Sequence, residues 1–277
     1  MSAVEGRRSV AQNSPRILHS SPRWQLTELI FACATLFALA SPHVVESVHA
    51  SRLAPIMTVV AAASDPGRLT GKVTFDGTPK KLKPIDMSRE PSCAKFYDKP
   101  PRPDQAATGS DNALQNVIVY ISQGAPDEKA SIGPAIQLTQ RGCRYSPHVI
   151  AAEATQEIWV RNDDSVTHSI HPMPHFNPEW NRSQPPGTPP VVLRFDRPEI
   201  IPVKCELHPW MRGVVAVFKN SHHAVTDAEG RFDLSELPPG KYTVTAWHEL
   251  YGSQSKQVVI EPGQSQSLNF VFKVLPY

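Results

Sequence analysis

The sequence lacks any run of 18 apolar residues, so we expect no ordinary transmembrane helix. It also lacks an excess of charge, because the formal net charge is only +2 over 277 residues. Residues 64–277 contain 23 Lys or Arg and 23 Asp or Glu, so this part of the chain is neutral. A protein that binds nucleic acid through its phosphates concentrates positive charge. We therefore expect no nucleic acid among its partners.

Patterns of long helices are missing as well. Proline occurs 28 times, roughly twice its usual share, and proline disrupts helix interiors. Short apolar or alternating runs recur instead between turn sequences such as Asp76-Gly77 and Pro262-Gly263. This pattern predicts an all-β protein built from sandwiches. The predicted strands are 69–75, 116–121, 135–138, 157–160, 191–195, 199–204, 213–218, 231–234, 241–247, 255–260 and 267–272. The segment Lys80–Asp111 is predicted to be a long surface loop.

Residues 1–63 have the features of an export segment. Four arginines precede a 12-residue apolar run, Leu29–Ala40, which is too short to span a bilayer but suits a signal sequence. Small residues follow at three possible cleavage sites, ending at Ala40, Ala50 and Ala63. Export to the periplasm or the extracellular space is predicted, with no stable membrane span after cleavage. The alternatives are an uncleaved anchor and a lipid attached to Cys33.

A group of metal-binding residue types is the most specific signal. Cys205, His208 and Met211 form Cys-x-x-His-x-x-Met between two predicted strands, and His168 and His171 lie upstream beside a turn. A thiolate, two imidazoles and a thioether are the donors of a mononuclear blue-copper site. Zinc is less favoured because thioethers are poor zinc ligands. The alternative is that Cys205 is a structural thiol and His208 a surface residue.

Around these residues the chain resembles the cupredoxins. CELHPWMRGVVAV is similar to the ligand loop and final strand of amicyanin-type members, and NDDSVTHSIH is similar to the segment that carries the first histidine ligand. The resemblance implies a Greek-key sandwich at 129–218 and one type-1 copper held by His168, Cys205, His208 and Met211. The family has Asn after the first histidine ligand, whereas this chain has Ser169. A looser site or a different potential could follow from this difference.

A second resemblance lies on the flanks of that segment. Thr226-Asp227-Ala-Glu-Gly230-Arg-Phe232 and Leu237-Pro-Pro-Gly240-Lys-Tyr242 resemble the carboxypeptidase regulatory-like (transthyretin-like) domain. That family opens with Gly-x-Val and valine-rich strands, which occur here much earlier, at 71–77 and 116–120. We expect the copper domain to be inserted into a discontinuous sandwich made of residues 66–128 and 219–277. The alternative is two domains in sequence with an N-terminal extension.

The cysteine count leaves one predicted disulfide. Cys33 falls in the export segment and Cys205 is assigned to copper, so Cys93 and Cys143 are predicted to pair. Two buried free thiols are the alternative. Of the other histidines, only one of His168 and His171 is expected to face the metal, because residues three apart in a strand point to opposite faces. We expect His148 and His175 at the surface, and we expect an exposed His248 beside a buried Trp247.

These expectations favour an exported electron carrier that is not an enzyme. Its partner would be an unknown redox protein that docks weakly and transiently near His208 and Trp210. The alternative function is a non-enzymatic envelope protein that binds copper, a partner or a glycan through its sandwich scaffold. A copper enzyme would need a second, histidine-built copper site, which the sequence does not offer convincingly.

Overall fold

The structure is a computed structural model that describes residues 65–126 and 132–273. The predicted export segment and the predicted domain boundary at residues 128–129 lie outside these residues. The described part is all-β, and its one α-helix, α1 (Pro91–Ala94), is a single turn. Two 3₁₀ turns occur at Asp104–Ala106 and Ser110–Asn112. No helix in the two described ranges is long and apolar enough to cross a membrane.

Seventeen strands are present in these two ranges. They are β1 Gly67–Phe75, β2 Ile118–Gln123, β3 Ile136–Gln140, β4 Tyr145–Ser146, β5 Val149–Glu153, β6 Ile158–Asn162, β7 His168–Pro172, β8 Arg182–Gln184, β9 Val191–Leu193, β10 Glu199–Lys204, β11 Arg212–Phe218, β12 His223–Val225, β13 Arg231–Leu237, β14 Gly240–His248, β15 Gly252–Ile260, β16 Ser265–Ser267 and β17 Phe270–Phe272. Every predicted strand has a counterpart. The predictions missed β4, β5, β8 and β12, which are at most five residues long, and β7 was assumed only in the argument about His168 and His171.

Strands from both ends of the described chain form one sandwich, which we call the flanking sandwich. In its first sheet, β1 pairs with β13 on one side and with β16 and β17 on the other. Its second sheet has the order β12-β2-β14-β15. Apolar side chains from both sheets form a single buried core, with Leu69 and Val73 of β1 packed among residues of β2, β13 and β14. The flanking sandwich is therefore interrupted in sequence by the strands β3–β11.

The intervening strands form a second sandwich, which we call the inner sandwich. One sheet has the order β5-β11-β10-β7-β8 and the other the order β4-β3-β6-β9. Its core includes Ile158, Ile170 and Ile201, and also the candidate metal ligands Cys205 and Met211. The two sandwiches contact each other through a smaller apolar cluster, in which Ile118 of β2 meets Val214, Ala216 and Phe218 of β11.

The segment between β1 and β2 has one buried side. As predicted, Lys80–Asp111 contains no strand and only single helical turns. Its inner face is buried, however, because Ile85, Met87 and Cys93 form an apolar cluster with Cys143. The segment is therefore a loop as predicted, but only its outer side lies at the surface.

The expected orientation of His248 was wrong. Burial alternates along β14 so that Tyr242, Val244, Ala246 and His248 face the core of the flanking sandwich, and His248 is 1% exposed. Trp247 points to the other face and packs partly against the cluster between the two sandwiches. The period of two was right, but its phase was wrong, because we assigned the tryptophan to the core.

Candidate metal centre

The loop between β10 and β11 carries three of the four predicted ligands. Cys205 follows β10 directly, and Met211 is the last residue before β11. The N–H of Cys205 donates to the Met211 carbonyl at 3.0 Å, and the N–H of Met211 donates to the His208 carbonyl at 2.9 Å. These two hydrogen bonds close the loop into a compact turn, so the three residues are held at one end of the sheet.

Strand pairing brings the fourth predicted ligand to this loop. β7 begins at His168 and pairs with β10 through His171 opposite Lys204. A hydrogen bond of 2.5 Å from the Tyr145 hydroxyl to the Ser169 carbonyl, and a second of 3.0 Å to the Lys204 carbonyl, tie the two segments together. Burial raises the pKa of this tyrosine, so it remains a neutral donor.

Three donor atoms converge in the interior. His168 Nδ1 lies 3.0 Å from His208 Nδ1, and Cys205 Sγ lies 3.6 Å from the same His208 nitrogen. All three side chains are buried. Metal bonds of about 2.0 Å to nitrogen and about 2.3 Å to sulfur put neighbouring donors of one metal about 3.3–3.6 Å apart. The spacing of these atoms therefore fits a single metal ion, and a thiolate with two imidazoles is the equatorial set of blue-copper proteins.

Met211 is also completely buried, at 1% exposure. Its side chain belongs to the same apolar cluster as Cys205. A thioether in this position suits the weak axial donor of a copper site.

The surroundings of Cys205 favour the thiolate form of its side chain. Burial raises its pKa, but hydrogen bonds with His168, His208 and the Ser169 backbone outweigh that effect and lower the pKa of Cys205 to about 5. The Ser169 N–H donates to Cys205 Sγ at 3.3 Å. The Ser169 hydroxyl accepts the Glu206 N–H at 2.8 Å and therefore links the two ligand-bearing segments. A serine can make this connection where the cupredoxins have asparagine.

Asp164 orients His168 from behind. The Nε2–H of His168 donates to Asp164 Oδ2 at 2.9 Å, which leaves the Nδ1 lone pair facing the other donors. The same carboxylate accepts the N–H groups of Gly142 and Cys143, each at 2.7 Å. Burial raises the pKa of Asp164, but these hydrogen bonds outweigh it and hold the pKa below its usual value. Burial lowers the pKa of His168, but the hydrogen bonds of this histidine with Asp164 and Cys205 outweigh that effect. The pKa of His168 is therefore above its ordinary value.

The disulfide Cys93–Cys143 is present and lies beside the candidate centre. Its Cα atoms are 5.6 Å apart, and Cys205 is free and buried. Cys93 Sγ lies 3.6 Å from His208 Nε2, the ring nitrogen that faces away from the other donors. His208 is only 3% exposed, so it is not the surface residue of the alternative interpretation. The Trp210 ring packs beside His208, with the two ring centres 5.2 Å apart, and its Nε1–H donates to the Cys143 carbonyl at 3.1 Å.

The remaining histidines have separate environments. His171 contacts Glu206 at 2.5 Å and Glu179 at 2.7 Å, away from the three converging donors. His175 is exposed, as predicted. The expectation for His148 was wrong, because it is 7% exposed and contacts Arg212 O and the carboxylate of Glu249. It is buried because Glu249 belongs to the flanking sandwich, which covers this end of β5.

One family model matches part of the chain. Residues 212–273 match the carboxypeptidase regulatory-like domain. The matched carboxypeptidase regulatory-like region contains β12–β17 of the flanking sandwich, and it begins on β11 of the inner sandwich. Both motifs that suggested this family in the sequence lie within it. No curated protein sequence matches the chain.

Several solved structures are similar to about a third of the chain. A purple cupredoxin from Nitrosopumilus maritimus is 22% identical, with 30% of this chain and 99% of that chain covered and a TM-score of 0.27. Amicyanin from Paracoccus versutus is 14% identical, with 36% and 97% covered and a TM-score of 0.27. A copper-containing nitrite reductase from Thermus scotoductus is 16% identical, with 35% and 27% covered and a TM-score of 0.28.

Two contacts of the centre were missed in the sequence. Asp164 had a recognisable signal, because it follows a turn and lies four residues before His168. The contact between Cys93 and His208 had none, since 115 residues separate them and the disulfide alone does not indicate a histidine neighbour.

Proposed function

We propose that this chain is an exported type-1 copper protein that acts in one-electron transfer and catalyses no reaction of its own. The observation that carries the proposal is the convergence of His168 Nδ1, His208 Nδ1 and Cys205 Sγ in a buried site. Bound copper would supply a one-electron couple between Cu(II) and Cu(I). His168, Cys205 and His208 would hold it, with Met211 as the weak fourth donor.

The surroundings of these ligands favour electron transfer over substrate chemistry. The donor atoms are buried, and hydrogen bonds with Ser169 and Asp164 fix Cys205 and His168 in place. A site that excludes water and holds its ligands rigidly changes little when its charge changes by one electron. That property suits a carrier, whereas an enzyme needs an open coordination position.

Export is part of the proposal. The disulfide between Cys93 and Cys143 suits an oxidising compartment such as the periplasm or the extracellular space. Residues 1–63 would direct the chain there. Fractionation of cells expressing the full chain, with the mature N-terminus determined by mass spectrometry, tests this part.

Copper loading of the purified protein tests the function itself. The wild type should bind one Cu(II) and develop the intense visible absorption of a thiolate–Cu(II) bond. His168→Ala and Cys205→Ser should lose this absorption. His175→Ala is the matched control, because His175 is exposed and lies outside the group of donors. A wild type that binds zinc but remains colourless with copper would contradict the proposal.

A further inference from the structure

A cationic segment covers the candidate centre. Residues 80–102 contain seven Lys or Arg and three Asp or Glu, a net charge of +4. The other residues from 64 onward contain 16 Lys or Arg and 20 Asp or Glu, a net charge of −4. We call residues 80–102 the cap. The chain after residue 63 is therefore neutral in sum, with a net positive charge in the cap and an equal net negative charge in the rest.

The cap packs against the ligand loop and is bonded to the inner sandwich. Its buried side chains Ile85, Met87 and Cys93 form one cluster with Cys143, and Trp210 of the ligand loop packs against them. The disulfide and a hydrogen bond of 2.8 Å from the Tyr97 hydroxyl to the Gly142 carbonyl join the cap to the inner sandwich. The cap consequently occupies the position from which a partner would otherwise reach His208.

The cap also offers a short route from His208 to the surface. His208 Nε2 contacts Cys93 Sγ at 3.6 Å, and the carbonyl of Cys93 accepts the Phe96 N–H at 3.2 Å. The Phe96 ring is 42% exposed, with the ammonium of Lys95 5.7 Å from its centre. An exposed aromatic ring with a lysine ammonium over its face thus lies at the outer end of the route.

We propose that the cap, with Phe96 at its centre, is the docking surface for a negatively charged redox protein. The inference rests on the proposed function and moves the docking surface from His208 itself to the segment that covers it. Complementary charge accelerates the encounter, and an exposed aromatic ring gives a small apolar contact suited to a transient complex. One electron crosses between the copper centre and the partner, with no bond made or broken, and the disulfide stays oxidised.

The first test needs no copper. Hexacyanochromate(III) is a redox-inert, paramagnetic trianion that broadens the NMR signals of the amides it approaches. Added to the metal-free full chain, it should broaden the amide signals of residues 95–99 selectively, and the cation hexaamminechromium(III) should not. Lys99→Glu, a charge reversal at an exposed residue of the cap, should abolish the selective broadening. Lys241→Glu, an equal charge change at an exposed lysine on β14, should preserve it. Broadening by the anion that avoids the cap would overturn the proposal.

The second test uses the copper-loaded protein and the anionic oxidant hexacyanoferrate(III), which accepts one electron from the reduced protein and becomes hexacyanoferrate(II). At low ionic strength Lys99→Glu should slow this transfer at least about threefold, and added salt should remove the difference. Lys241→Glu should transfer electrons at the wild-type rate. Equal rates for both variants would refute the docking surface. A wild type that binds no copper would refute the proposed function, while the NMR test still decides the docking surface.

Discussion

The carboxylate of Asp164 lies 2.9 Å from Nε2 of His168 and accepts its hydrogen bond in the interior of the inner sandwich. A carboxylate in this relation to a ligand imidazole orients the ring and makes its other nitrogen a stronger donor. Because a stronger donor favours Cu(II) over Cu(I), Asp164 is expected to lower the reduction potential of the bound copper.

The variant Asp164→Asn tests this relationship. It should raise the reduction potential, measured by voltammetry, and weaken copper binding about tenfold or more. Asp196→Asn is the control, because Asp196 is exposed and lies outside the groups of converging donors. An unchanged potential in Asp164→Asn would show that the carboxylate only supports the loop containing Gly142 and Cys143.

Removal of the disulfide should destabilise the protein. The bond joins residues 50 positions apart, and closing a loop of this length contributes about 2–4 kcal/mol. The double variant Cys93→Ala/Cys143→Ala should lose stability in this range in urea unfolding. Treating both proteins with a reductant is the control, since it should lower the stability of the wild type and leave that of the variant unchanged.

The buried His248 should make stability depend on pH. Burial lowers its pKa from 6.5 to about 4, an effect that Glu249 opposes and His148 reinforces. The contribution of neutral His248 to the free energy of unfolding is complete above pH 6.5, where this residue is also neutral in the unfolded chain. It is lost as the pH falls toward 4, because the unfolded state takes up the proton first; the loss amounts to about 3 kcal/mol.

The variant His248→Phe keeps an aromatic ring against Tyr251 but cannot titrate. Its stability should therefore fall less steeply than that of the wild type between pH 6.5 and 4, as measured by urea unfolding at a series of pH values. His175→Phe, at an exposed position, should keep the wild-type slope. Parallel slopes for wild type and His248→Phe would contradict the assigned pKa.

Gly71 should tolerate no side chain. A Cβ atom at this position would lie 1.9 Å from the Leu268 carbonyl and 2.6 Å from the Phe232 ring, so β1, β13 and the chain before β17 would have to move apart. Gly71→Ala should lower the free energy of unfolding by at least about 2 kcal/mol. Gly240→Ala is the control, because its Cβ would have no neighbour closer than 3.4 Å. Equal stabilities would show that β1 and its neighbours in the sheet can move apart locally at no cost.

The parts of the site that sequence could predict are the local ones. Cys205, His208 and Met211 lie within seven residues, so their spacing alone indicated a ligand loop. The contact between Cys93 and His208 depends on how a distant segment packs, and no local pattern encodes it. The burial of His148 likewise depends on Glu249, 101 residues away.

The fold shows the same division. Long alternating runs such as β14 were identified, although the phase of His248 was wrong because burial of a tryptophan was assumed. β5 was missed because Val149–Glu153 shows no alternation, and its burial pattern shows that four of its five residues are covered. Strands of this kind are recognised by what covers them, which the local sequence does not specify.

The interrupted course of the flanking sandwich has a consequence for biosynthesis. Gly67 of β1 pairs with Leu237 of β13. About 170 further residues must therefore be synthesised before β1 can pair with β13. β3–β11, whose partners all lie between residues 136 and 218, can meanwhile fold by themselves. A chain that has emerged only as far as residue 218 would carry the inner sandwich and two unpaired strands, β1 and β2, and unpaired strands are features that aggregate and recruit chaperones.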